Sequence, residues 1–344
     1  MGAMDGDWRA DVDVAVAAAI AAGRATMRVF GGHMEVRHKG PDQPLTPSDL
    51  EADHILRERL LAARPGYGWL SEETKDDPER LRRARVWIVD PIDGTRSFIA
   101  ARREFAVSVG LAQGGEAVVG VVLNPATGEL YACWRGGGAW KLEGALAEDG
   151  PGAPPGGSGP TAPAAGASVP PGAAPAGTVG EASGRAPRVP EEASSPATSS
   201  SWRRLHVREQ PTDTPTILAS RSEIREGEFH PFAGWQLHPM GSTAFKLALL
   251  AEGVGDIFLS RGPKSEWDVC GGGLLVREAG GVATDLNGEA LTYNRRDPRV
   301  YGILAAPRWL HATALERVRA LPPPARLARR AEDPLHPGLE EDDE

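Results

Sequence analysis

Between Asp7 and about Phe30 the apolar residues return at the spacing of one helix face. Val12, Val16, Ala19 and Ile20 form a single stripe. Gly31-Gly32 closes that helix, and the stretch His33–Pro47 has no period and is expected to be irregular. A second helix is expected from Ser48, where Ser48 and Glu51 have the S-x-x-E spacing of a capping box. Leu56 and Leu60 continue its apolar face, while Asp49 and Asp53, one turn apart, project from one side with only Arg57 within reach. Val86-Trp87-Ile88-Val89 is an unbroken apolar run, the pattern of a strand buried on both faces, expected to stop at Asp90-Pro91. Phe105–Ala112, Ala117–Leu123, Glu129–Trp134 and Gly138–Leu142, separated by Gly- and Pro-containing turns, read as an antiparallel meander.

The pattern then vanishes. From Gly144 to Ser201 the chain is nearly all Ala, Pro, Gly and Ser, with no Ile, Phe, Trp or Tyr. Such a segment buries too little apolar surface to offset its ordering entropy, so a disordered insertion at a hairpin tip is expected. Order resumes at Trp202. Leu205–Val207, Thr216–Ala219, Gly255–Ser260, Val282–Asp285 and Tyr301–Ala305 are strand-like. Ala244–Glu252, opened by Gly241-Ser242-Thr243, is helical, as are Glu266–Ala279 and Trp309–Leu321. The expected organisation is an N-terminal half (7–143), the insertion (144–201), a C-terminal half (202–321) and a disordered acidic tail (322–344).

The chain has 344 residues and a net charge of −9, of which the run Glu340–Glu344 is wholly acidic. The remaining body is mildly acidic, which excludes non-specific nucleic-acid binding by a basic face. The early apolar stretch Val12–Ala22 is short and is preceded by Asp5, Asp7 and Asp11, so neither a signal peptide nor a membrane segment is expected. Two cysteines, Cys133 and Cys270, cannot build a disulfide framework and read as small buried hydrophobes in a reducing cytoplasm.

The informative residues are acidic and sit at the ends of elements. Glu72-Glu73 lie in a loop after the second helix, Asp90 ends a buried strand, Asp93 follows it, and Asp268 lies in the first turn of a late helix. Carboxylates without basic partners repel one another unless a cation lies between them. Oxygen-only ligands suit a hard ion such as Mg²⁺ rather than zinc. In Asp90-Pro91-Ile92-Asp93-Gly94-Thr95, the proline stiffens the backbone, the two aspartates can converge on metal, and Gly94 permits close approach of a substrate. A helix starting at Gly94-Thr95 would offer N–H groups to a phosphate, and Gly241-Ser242-Thr243 could form a second such cradle. Lys39 and Lys264 could reach a substrate phosphate, and Trp235 or Phe232 could wall a leaving-group pocket.

Leu70-Ser71-Glu72-Glu73, the run Trp87–Thr95, and Trp267-Asp268 with Glu278-Ala279-Gly280-Gly281 resemble the signatures of the inositol monophosphatase superfamily. The resemblance implies a layered α/β fold, an α-β-α-β-α sandwich of the inositol monophosphatase and fructose-1,6-bisphosphatase type. It implies a Mg²⁺-dependent phosphomonoesterase (EC 3.1.3) acting on a small phosphorylated substrate; some relatives are homodimers. Gly262-Pro263-Lys264-Ser265-Glu266-Trp267-Asp268 is similar to the corresponding run of 3'(2'),5'-bisphosphate nucleotidases of bacterial sulfate assimilation. Adenosine 3',5'-bisphosphate, giving AMP and phosphate, is therefore the expected substrate. Inositol-1-phosphate or another sugar phosphate is the alternative, and a non-catalytic phosphate-binding regulatory protein a remote one. By the same resemblance, Glu72, Asp90, the Ile92 carbonyl, Asp93 and Asp268 hold metal. Asp49 and Thr95 orient and deprotonate the attacking water, with Glu72 assisting. Asp93, Gly94, Thr95, Gly241, Ser242, Thr243 and Asp268 face the substrate.

Overall fold

Strand alternation decides which layer each side chain joins. In the computed structural model, which describes residues 8–40, 43–147 and 202–321, the run 86–89 splits by parity. Trp87 and Val89 face a cluster built with Val12, Val16, Leu56 and Leu60. Val86 and Ile88 face the opposite way, toward Leu247, Val269 and Leu274. A period of two with both faces covered is what an unbroken apolar strand requires.

The elements follow in order. Helix α1 (Arg9–Met27) precedes an antiparallel pair, β1 (Arg37–Gly40) and β2 (Gln43–Leu45), then α2 (Pro47–Ala63) and β3 (Gly68–Ser71). After a tight helical turn at Pro78–Arg82 come β4 (Arg85–Asp93) and the short α3 (Thr95–Ile99). The meander is β5 (Ala106–Gln113), β6 (Glu116–Asn124), β7 (Glu129–Trp134) and β8 (Gly138–Leu142), extended by β9 (Arg203–Arg204). Then follow β10 (Thr216–Ser220), α4 (Arg221–Arg225), β11 (Gln236–Met240), α5 (Thr243–Ala251), β12 (Ile257–Ser265), α6 (Glu266–Glu278), β13 (Gly281–Thr284), β14 (Arg299–Pro307) and α7 (Arg308–Arg319). Strands β3 to β9 form one sheet in sequence order, with only β3 and β4 parallel. The second sheet has the order β11-β10-β12-β14-β13.

The layers are α1/α2, the large sheet, α5/α6, the small sheet, and α7, as the family resemblance implies. In the small sheet, Leu218, Phe258, Ile303 and Ala305 pack inward on α5/α6. Their neighbours Ile217, Leu259, Leu304 and Ala306 pack outward with Leu310 and Ala314 of α7. Helix α6 lies against the large sheet with almost no side chain between. A Cβ on Gly110 would fall 2.5 Å from Cys270 Sγ, and one on Gly120 2.5 Å from the Gly271 carbonyl oxygen. Gly110 and Gly120 are directly paired across β5 and β6, so the approach is a groove built into the sheet.

Several expectations are corrected. The stretch after Gly32 is not wholly irregular but carries β1 and β2. The cap of α2 is Thr46 with Asp49, not Ser48 with Glu51: Asp at the third helical position does what Glu does, and Pro47 occupies the first. Strand β4 does not stop at Asp90 but continues, with a register shift, to Asp93. Leu205–Val207 is not a strand; β9 lies just before it. The tail 322–344 and residues 148–201 lie outside the described residues. Gly144–Ala147 remain attached to the body: Ala145 is fully buried and its N–H donates to the Gly128 carbonyl at 2.9 Å.

A buried ion network joins the meander to α5. Lys141 Nζ lies 2.6 Å from Glu129 and 2.9 Å from Glu252, which also accepts from Tyr131 and Arg203. Burial opposes ionisation of Glu252, but hydrogen bonds from Lys141 and Tyr131 outweigh it and hold the carboxyl below its ordinary 4.5. A carboxyl depressed by folding contributes stability above its unfolded pKa and loses it as pH falls through the folded one. Glu252→Gln is therefore expected to lower unfolding free energy by about 2 kcal/mol at pH 7. Denaturant titration across pH should show that gap closing progressively below pH 4.5. A gap independent of pH would remove the ionised carboxylate from the explanation.

Candidate active site

The acidic residues converge because each ends an element at the same place. Asp90 and Asp93 close β4. Asp268 is the third residue of α6, Asp49 the third of α2, and Glu72 directly follows β3. Asp90, Asp93 and Asp268 each place a carboxylate oxygen within 4.8 Å of the others. Asp90 and Asp93 are buried, and Asp268 is half-buried.

Hydrogen bonds hold this repelling group together. The Asp268 carboxylate accepts the Ser265 N–H at 2.7 Å, closing the α6 capping box. Asp49 Oδ2 accepts both the N–H and the hydroxyl of Thr46, at 2.8 and 2.6 Å. Asp93 Oδ2 accepts Ser242 Oγ at 2.6 Å and the Ala244 N–H at 2.5 Å, so the start of α5 clamps it. Asp90 Oδ1 accepts the Ile92 N–H at 3.0 Å. Burial pushes the Asp90 carboxyl well above its usual range, with Glu72, Asp93 and Asp268 adding repulsion. Burial also raises Asp93, while Ser242 and the α5 backbone oppose the shift. Burial and Asp93 push Asp268 up to about 7. A donor set made only of oxygens, mutually repelling and half-desolvated, fits a hard divalent cation, which would restore all three to their ionised form.

Thr95 joins this group from the start of α3. Its hydroxyl lies 3.2 Å from Asp49 Oδ1 and 3.1 Å from the Ile92 carbonyl oxygen, so it can donate to either. Burial raises the Asp49 carboxyl as well. Gly94 stands at φ 98°, a left-handed value, and a Cβ there would meet the Glu104 carbonyl oxygen at 3.0 Å.

Glu72 lies beside the triad rather than within it. Lys39, from β1, bridges Glu72 and Glu73 at 2.9 and 2.8 Å. Burial pushes the Glu73 carboxyl up to about 7 despite the Lys39 hydrogen bond. Asp53 is a support: Ser71 donates to one of its oxygens and Thr74 to the other. Of the Gly241–Thr243 group, Ser242 is engaged by Asp93, and the Gly241 N–H donates to Glu104 at 3.1 Å. Lys264 pairs with buried Glu223 at 3.7 Å. Phe232 and Trp235 do not wall a leaving-group pocket; they pack in the α7 layer, where Arg317 covers the Trp235 ring.

A sequence model of the inositol monophosphatase family matches residues 7–169 and 173–322. An inositol-1-monophosphatase of Rhizobium meliloti is 33% identical over 289 residues, covering 80% of this chain and 86% of its own. The chain belongs to the inositol monophosphatase family. A 3'(2'),5'-bisphosphate nucleotidase CysQ of Aggregatibacter actinomycetemcomitans is 28% identical over 268 residues, covering 76% of this chain and 79% of its own. The crystal structure of the suppressor protein suhB from Bartonella henselae superposes with a TM-score of 0.64 at 25% identity, covering 90% of this chain and 99% of its own. Inositol monophosphatase family proteins are metal-dependent phosphatases of small phosphate monoesters, and this chain is such a phosphatase. Among the described residues no helix is long and apolar enough to cross a membrane.

Sequence reasoning missed three parts of this family member's site. Thr46 was visible in Thr46-Pro47-Ser48-Asp49, a cap followed by proline at the first helical position. Ser242 also holds Asp93 through its hydroxyl, a role that its sequence neighbours do not suggest. Lys246 gave no local signal, since a lysine within a helix ordinarily faces water; here it is 2% exposed.

Asp93→Asn is expected to fold, because it keeps the side-chain shape and removes one of three repelling charges. Divalent-cation affinity, read by calorimetric titration, should fall by ~100-fold or more, and phosphate release should nearly stop. A folded variant that retains both removes Asp93 from the metal set.

Proposed function

We propose that this phosphatase is a Mg²⁺-dependent 3'(2'),5'-bisphosphate nucleotidase that converts adenosine 3',5'-bisphosphate to AMP and phosphate. Lys246 carries the reading. Its side chain is buried on α5, its ammonium 5.3 Å from the centre of the Phe258 ring, and among the described residues it makes no hydrogen bond or ion pair. Burial and nearby Lys264 lower its pKa to about 8, while Glu223, Asp93 and Asp268 act from further off. An ammonium held this way has carboxylates only at a distance and no anion in contact. A substrate with one phosphate at the acidic site and a second reaching Lys246 would supply it; an inositol monophosphate has no second anion to offer. The Gly262–Asp268 run supports the same substrate class. The 33% identity to an inositol-1-monophosphatase favours the second reading, hydrolysis of inositol-1-phosphate.

In either reading the division of labour is the same. Asp90, Asp93, Asp268, Glu72 and the Ile92 carbonyl would hold Mg²⁺, which when bound acidifies a water and neutralises charge on the phosphoryl oxygens. Thr95 directs its hydroxyl proton to Asp49 or Ile92 and turns a lone pair to the attacking water. Asp49, fixed by Thr46 and raised by burial, accepts the proton that the water loses. Gly94 gives the phosphate room beside the backbone, Ser242 and Thr243 hold Asp93 in place, and Gly241 is fastened to Glu104. The two free, buried cysteines fit a reducing cytoplasm.

Phosphate release should favour adenosine 3',5'-bisphosphate over inositol-1-phosphate at equal concentration. Lys246→Met keeps the volume and removes a buried charge, so the fold should persist. It is expected to lower kcat/KM for the bisphosphate by ~10–100-fold and leave the inositol ester nearly unchanged. Equal loss for both esters would assign Lys246 to the fold, and a preference for the inositol ester would establish the second reading.

A further inference from the structure

A cleft of 160 Å³ opens between α2, β3 and the turn Pro78–Arg82, away from the acidic triad. Arg57, Lys75 and Arg83 stand around it, all exposed, and among the described residues none is paired with a carboxylate. Two polar side chains in its wall are more than nine-tenths buried. Trp69 has an indole N–H with no hydrogen-bond partner. Arg80, 2% exposed, directs four hydrogen bonds to Asp76, Asn294 and the Arg295 carbonyl. A guanidinium carries five N–H donors, so one remains. The two carboxylates at the rim are already engaged: Asp77 accepts the Glu79 N–H, and Glu79 pairs with Arg82.

The wall therefore offers donors in excess of acceptors. A buried donor without a partner is costly, and a lining of four cations against two carboxylates favours an anion. The volume exceeds that of several waters, each of about 30 Å³, and admits a tetrahedral oxyanion with part of its hydration. We propose that this cleft is a binding site for a phosphate group, separate from the acidic site and independent of which ester is hydrolysed there. Thr74 links the two places. It lines the cleft and donates to Asp53, which also accepts from Ser71, so the segment carrying Glu72 and Glu73 borders both sites.

Calorimetric titration of the full chain with inorganic phosphate, in EDTA to silence the metal site, tests this. The intact protein should bind phosphate at one site, more weakly as salt rises. Arg57→Gln/Lys75→Gln/Arg83→Gln should weaken binding by about tenfold or more, with the melting temperature and the turnover at low phosphate unchanged. Asp93→Asn should bind as the intact protein does. Repeating the titration with glycerol phosphate distinguishes free phosphate from a phosphomonoester; binding of either supports the site. The proposal is overturned if neither anion binds, if the triple variant binds equally well, or if Asp93→Asn abolishes binding.

Discussion

Repulsion among buried carboxylates is the constraint to which the rest of this structure answers. Asp90, Asp93 and Asp268 are brought within one cation's reach, and nothing about their own charges favours that. What makes the arrangement tenable is where each is fastened. Asp49 and Asp268 are third residues of capping boxes, and Asp93 takes the first free N–H groups of α5. Three helices thus direct their positive ends at one cluster, and each anchor is a backbone group that the helix start leaves unsatisfied. Helix initiation and site assembly are the same set of hydrogen bonds.

This explains why two sheets and two chain halves are needed. The large sheet presents Asp90 and Asp93 at the end of β4. The layer between the sheets presents Asp268 and Ser242 at the starts of α6 and α5. Neither half carries the cluster alone. The surroundings are graded in charge: the acids converge at one end of α5, and Lys246, Lys264 and Glu223 lie further along.

Much of this was legible in the chain. The meander and the long helices follow from period-two and period-3.6 patterns, because those faces are buried; the layered arrangement was implied by the family motifs and by no period. The carboxylates were legible because they stand at strand and helix ends without basic neighbours. Short strands were not: β1 and β2 are half-exposed, so no apolar period marks them, and β11 is exposed along most of its length. The burial of Lys246 was not legible either, since it depends on what α5 packs against and not on the residues beside it. The role of Ser242 was hidden for the same reason: its partner Asp93 is distant in sequence.

The contact of α6 with Gly110 and Gly120 carries a consequence for how such a chain can diverge. The height of Asp268 over Asp90 and Asp93 is set by α6 resting on these glycines through the small Cys270 side chain and the Gly271 backbone, not by large intervening side chains. Core residues elsewhere can exchange one aliphatic shape for another without moving the catalytic geometry, provided total volume is kept. The tolerance ends at those glycines. A single methyl there would lift the helix, and a displacement of ~1 Å at reacting groups costs ~100-fold in rate. The site is therefore insulated from most drift in the core around it, and exposed to drift at a handful of positions that bear no chemistry at all.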